Sequence, residues 1–167
     1  METHESYATA IGIALLYTIF TSLFSLLNRL TLFMVPQSGF ISTLNLFFLK
    51  NALWIIVVAA IIILLSSYLK KMNLNFNDHI IKNNKICLIS GTLIAIEGLI
   101  NLSSLLPAYI SSSKLSIQTS QLVTGAMTNS PAKYIVISNI ISIFIILLQI
   151  ITGIYLARFY KGKVRND

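Results

Sequence analysis

Apolar residues run along this chain in blocks too long for a water-soluble core. Four blocks stand out, at about 7–35, 40–69, 86–106 and 134–160. The second contains the stretch ALWIIVVAAIIILLSSYL at 52–69, which carries no charge. A hydrocarbon layer ~30 Å thick is crossed by roughly 20 apolar residues at 1.5 Å of helical rise each, and every block is that long. Backbone groups in hydrocarbon have no water to bond, so each block is expected to pair its own N–H and C=O groups as a helix. The abundance of Ile and Val argues only weakly against this, because intrinsic propensity yields to packing and solvent. The predicted fold class is therefore all-α: a polytopic integral membrane protein whose four transmembrane helices form a bundle, a single domain over 1–167.

Chain breakers set the expected boundaries. Nothing interrupts the first block before Pro36, and Pro36-Gln37-Ser38-Gly39 has turn chemistry. Blocks one and two then form a helical hairpin with about 30 residues per arm, long enough to protrude from the hydrocarbon. Pro107 is expected to stop the third helix, since an interior proline removes a hydrogen bond. Residues 70–85 read as a cytoplasmic loop rich in Asn and Lys, and 107–133 as an external Ser/Thr-rich loop. Leu115, Ile117, Leu122 and Val123 in that loop suggest a cap lying on the membrane surface. Residues 1–6 include Glu2 and Glu5 and no Lys or Arg, unlike the basic flank of a signal peptide, so the first block is read as a retained span.

Composition sharpens the class. The chain is 56% hydrophobic and 10% charged, with mean hydropathy +0.82, whereas soluble domains carry about 25% charged residues. Both a soluble enzyme and a disordered chain are excluded on that ground. The net charge of +7 does not mark a nucleic-acid binder, because the basic residues flank apolar blocks and form no sustained stripe. Eight of them (Lys70, Lys71, Lys82, Lys85, Arg158, Lys161, Lys163 and Arg165) fall on the side holding both termini. Four (Arg29, Lys50, Lys114 and Lys133) fall opposite. Basic residues near span ends stay cytoplasmic, so both termini are expected in the cytoplasm. Tyr7, Tyr68, Tyr155 and Tyr160 then sit at the inner interface, and Trp54, Tyr109 and Tyr134 at the outer one. Heavy use of Ile, Asn and Lys fits an AT-rich bacterial genome, which points to a bacterial cytoplasmic (plasma) membrane.

The candidate chemistry is sparse. Glu97 is the single acidic residue inside a block, about 16 Å from the start of its helix and hence near the midplane. Intramembrane carboxylates are rare and mark functional candidates. At 100° per residue, Ser90, Glu97, Asn101 and Ser104 fall within about 60° of one another. Gly91, Ala95 and Gly98 fall on the adjacent sector and permit close helix packing, while Ile89, Leu93, Ile96 and Ile100 point the other way. Thr18, Ser22, Ser25 and Arg29 make a matching polar stripe on the first block; Ser138, Ser142, Gln149 and Gly153 make one on the fourth. The second block has none and reads as lipid-exposed. The expected bundle packs helices one, three and four around a shared polar seam, with the second outside. Arg29 either reaches inward to pair with Glu97 or, favoured by the vertical offset, snorkels to the surface beside Asn28.

A seam with one carboxylate reads as a packing device, with transport as the alternative. In the first, Glu97, Asn101, Ser90, Arg29 and Gln149 are hydrogen-bonding glue, and the protein is a non-enzymatic accessory, regulatory or assembly subunit. It would work through helix packing within itself, in a homo-oligomer, or with a larger membrane-protein partner. In the second, Glu97 titrates on the path of a small proton- or cation-coupled transporter or channel. Catalysis has little support: Glu2, Glu5, Asp78 and Asp167 are far from Glu97 in the chain, and no metal cluster, nucleophile–base set or nucleotide motif occurs. Asp78-His79 is a solvated loop dipeptide and the basic tail 158–165 a topogenic flank. Cys87 reads as a small packing residue. No cofactor or metal is expected, and the partner is the lipid bilayer, not nucleic acid.

Overall fold

In a computed structural model, residues 2–31, 40–72, 74, 84–122 and 131–159 are described, and they are helical but for a turn after the second helix. The helices are α1 (Glu2–Thr31), α2 (Phe40–Lys71), α3 (Asn84–Leu122) and α4 (Pro131–Phe159). Each carries a segment long and apolar enough to cross a bilayer: Ser6–Thr31, Asn45–Lys71, Lys85–Ser111 and Val136–Arg158. The protein is a multi-pass, all-helical membrane protein built as a four-helix bundle. Cross-helix bonds show an up-and-down order. Ser90 on α3 meets the Ile13 carbonyl of α1, so those two helices run parallel. The start of α2 meets the end of α1 through Arg29 and Asn51, and the start of α4 does the same through Ser138 and Thr31.

Pro107 does not end the third helix. α3 continues through it to Leu122, so residues 107–122 are helix and not the first half of a loop. A break there would strand several backbone groups, whereas an exposed proline inside a helix costs one bond, to the Ser103 carbonyl. Hydroxyls supplement the ladder around it: Ser103 Oγ donates to Ile100 O (2.8 Å), Ser104 Oγ to Asn101 O (2.9 Å) and Ser111 Oγ to Pro107 O (2.9 Å). α2 extends two residues past 69, through Lys70 and Lys71. α4 begins at Pro131, where the missing N–H is no loss. The extension of the first span over 32–35, the turn at 36–39, the Asp78-His79 dipeptide, residues 123–130 and the tail from Tyr160 lie outside the described residues.

The tightest seam joins α3 to α4. A Cβ built on Gly153 would lie 2.6 Å from both Ala95 N and Gly91 O, and one on Gly91 2.5 Å from Gly153 O. Only hydrogen in place of a side chain lets these backbones meet at that separation. α1 packs on α3, α4 and α2, whereas α2 packs chiefly on α1. Near the end holding the α2–α3 connection, Leu15, Leu16, Leu69, Ile86 and Cys87 form a dry cluster, joined by Ile62, Leu65 and Leu156. The remainder of α2 turns large apolar side chains outward, among them Leu49, Leu53, Ile56, Ile63 and Leu64. In hydrocarbon such residues need no protein partner. Ile89, Leu93, Ile96 and Ile100 of α3 are exposed in the same way.

Candidate functional site: a polar cavity among three helices

Glu97 stands one position from the centre of the Lys85–Ser111 span. The face of α3 that carries it is turned inward because Gly91, Ala95 and Gly98, one sector away, are fixed against α4. Helix geometry then aims Glu97, Asn101 and Ser104 into the gap that α1 leaves against that pair. The gap is a cavity of about 250 Å³ lined by Thr21, Phe24, Ser25 and Asn28 of α1, Glu97, Asn101, Ser104 and Leu105 of α3, and Ile145, Ile146 and Gln149 of α4. Seven of these eleven side chains are polar, an unusual lining at the depth of a hydrocarbon core. From Glu97 to Ser104 the polar wall climbs about 10 Å at 1.5 Å per residue, and Ser104 at its end is exposed.

Two features flank the cavity along the bundle. Beyond Glu97, Ser90 is fully buried, its hydroxyl directed at the Ile13 carbonyl at 3.4 Å, and the glycine crossing and dry cluster follow. Toward the α1–α2 connection, a clasp binds α1 to α4: Ser138 Oγ donates to Thr31 O (2.8 Å), and the Thr31 and Ser142 hydroxyls share a 2.8 Å bond. Thr31, Ser138 and Ser142 are all buried. The cavity thus sits between a clasp and a tightly packed base.

Tyr17 of α1 lies beside Glu97. Carboxyl oxygen Oε2 of Glu97 is buried without a hydrogen-bond partner, and so is Asn28 Oδ1. Leaving a buried polar atom unpaired costs about 1–3 kcal/mol, more for a charged group. Both orphans are acceptors, and both residues line the same cavity. Among the described residues, the lining contains no Lys, Arg or His. Its donor set is oxygen from carboxylate, amide and hydroxyl, with amide N–H groups beside it, which suits a proton or a hard cation. Among the described residues, neither sulfur nor imidazole lines the wall.

Of the residues singled out from sequence, Glu97, Asn101 and Gln149 come together in the cavity, with Ser25 and Ser104 beside them. Ser90 shares their face but is spent on α1 packing. Gly91, Ala95, Gly98 and Gly153 lie at the α3–α4 contact. Arg29 does not pair with Glu97. It is exposed, and it also engages α2: Nη1 donates to Asn51 Oδ1 at 3.1 Å, and the guanidinium lies 4.7 Å from the Trp54 ring centroid. Asn51 is itself buried and donates to Phe47 O (2.9 Å). α2 is therefore not featureless, since it anchors α1 through one amide and one indole. The α1 stripe also needs correction. Thr21, Ser25 and Asn28 face the cavity, not Thr18, Ser22 and Arg29; the two faces are centred about 70° apart on the helix.

Comparison of the chain with protein-family models, characterised proteins and solved structures yields no match.

Proposed function

We propose that this protein is a small proton- or cation-coupled transporter or channel, non-enzymatic, with Glu97 as the group that takes up the charge. One observation carries the proposal: a carboxylate at mid-span opens onto a polar cavity of about 250 Å³ and keeps one buried oxygen unpartnered. Glue between helices would spend both oxygens on neighbours. It would also need no cavity, because hydrogen-bonded side chains pack to interior density. The distribution of basic residues supports an orientation with both termini in the cytoplasm, and the Ile-, Asn- and Lys-rich composition supports a bacterial cytoplasmic membrane. In that orientation the cavity lies between the midplane and the outer surface, and the glycine crossing closes the cytoplasmic half. Transport then requires α1 to move against the rigid α3–α4 pair, and the hydroxyl clasp is the contact that must open.

A second role, as an accessory or assembly subunit, draws on the long apolar flank of α2, which packs on α1 and leaves most of its surface outward. A larger membrane protein or a second copy of this chain could seat there. Reconstitution separates the two. Purified protein in liposomes with an internal pH dye should pass protons or cations down an imposed gradient, and Glu97→Gln should abolish the flux. Silent liposomes, together with stable co-purification of another membrane protein, support the accessory role and overturn the carrier.

A further inference from the structure

Resting on the transport role of the same cavity, we infer that its ligand is an alkali-metal cation, held by the Glu97 carboxylate and the Asn28 amide oxygen with part of its hydration shell retained. The two unpartnered acceptors, Glu97 Oε2 and Asn28 Oδ1, come from different helices, and both residues line one cavity. Hydroxyls of Thr21, Ser25 and Ser104 stand around the same space. Oxygen is the donor preferred by hard cations.

Charge and size narrow the class. Among the described residues, one carboxylate and no other charged side chain line the wall. A monovalent ion brings the site to neutrality, whereas a divalent ion would leave one positive charge uncompensated in a medium of low dielectric. Mg²⁺ in addition releases its water reluctantly and demands octahedral geometry. A proton alone would neutralise Glu97, but it needs no chamber. About 250 Å³ accommodates several waters at roughly 30 Å³ each, so a cation can enter partly hydrated.

Thermal melting of the purified protein in detergent tests this. The titrants are NaCl and KCl, against choline chloride at matched ionic strength and fixed pH. The expected result is a saturable rise in Tm, about 5–10 °C at a hundredfold excess over Kd, specific to the metal ions. Glu97→Gln should abolish the rise, and Asn28→Ala should move its midpoint at least severalfold to higher concentration. The comparison of Na⁺ or K⁺ with choline on the unmodified protein stands even if a variant fails to fold. An equal rise in choline, saturation by Mg²⁺ or Ca²⁺ only, a response to methylammonium but not to metal ions, or a response to pH alone overturns the inference. Equilibrium binding requires no flux. Cation binding without transport therefore refutes the carrier role and leaves this assignment standing, while proton flux without cation binding does the reverse.

Discussion

The α3–α4 crossing offers the sharpest mechanical prediction. In Gly153→Ala the new methyl would sit 2.6 Å from Ala95 N and Gly91 O, both rigid backbone atoms, where ordinary contact begins near 3.4 Å. The helices must separate locally by about 0.8 Å. Overpacking of this kind costs about 1–3 kcal/mol, and backbone neighbours that cannot rotate away place it at the upper end. Replacing a mid-helix glycine by alanine returns up to about 1 kcal/mol through propensity. The net loss is about 2 kcal/mol, a fall in Tm of about 4–8 °C for a chain of this size. Gly98→Ala supplies the control on the same helix pair. Its nearest obstacle is Ile150 Cγ1 at 2.7 Å, a side-chain atom, and the nearest backbone atom is at 3.4 Å. A strained rotamer costs about 1 kcal/mol, which the propensity gain offsets. Thermal melts in one detergent should therefore rank Gly153→Ala well below wild type and Gly98→Ala level with it. Gly91→Ala should match Gly153→Ala, and the double mutant should fall short of additivity, because one separation accommodates both methyls. An unchanged Tm for Gly153→Ala, or a larger loss for Gly98→Ala, would refute the argument.

Three further outcomes are expected. Arg29→Gln combined with Asn51→Leu should show a coupling of about 0.5–2 kcal/mol in a detergent double-mutant cycle, whereas Arg29→Gln with Glu97→Gln should be additive. Coupling in the second cycle would show that Arg29 faces the carboxylate after all. Ser142→Ala should cost about 0.6 kcal/mol, because Thr31 Oγ keeps its 2.7 Å bond to Asn28 O; a loss above about 2 kcal/mol would mean the clasp has no such reserve. Pro107→Ala should leave the helicity measured by circular dichroism within error of wild type, since α3 is already continuous there; a marked gain would mean that the proline breaks the helix.

Much of the bundle was legible because hydrocarbon simplifies the problem. Four apolar blocks gave four helices, and the small residues at 91, 95, 98 and 153 marked where two backbones meet. The polar faces of α3 and α4 were readable by helical period alone: Ser138, Ser142 and Gln149 are each buried at 3–6% exposure. α1 misled because it carries two polar faces. The serines and Arg29 make the more regular stripe, yet Tyr17, Thr21 and Asn28 point inward, their pattern broken by Phe24. Only the position of α2, which draws Arg29 to Asn51 and Trp54, decides between those faces. Pro107 misled for the opposite reason. Rules learned in water weigh a lost hydrogen bond against solvation of the freed carbonyl, and in a bilayer that alternative is absent.

The central claim is that Glu97 looks into a polar space open to small cations and not at lipid or a sealed interface. It is tested most directly by cysteine accessibility along α3 in a Cys87→Ser background, using a small cationic methanethiosulfonate reagent on reconstituted protein. Asn101→Cys and Ser104→Cys should react readily and be protected when the ion occupies the cavity. Ile100→Cys and Ser103→Cys, at the same depths but facing outward, should be at least tenfold slower. Equal rates at all four positions, or faster reaction on the outward face, would contradict the account.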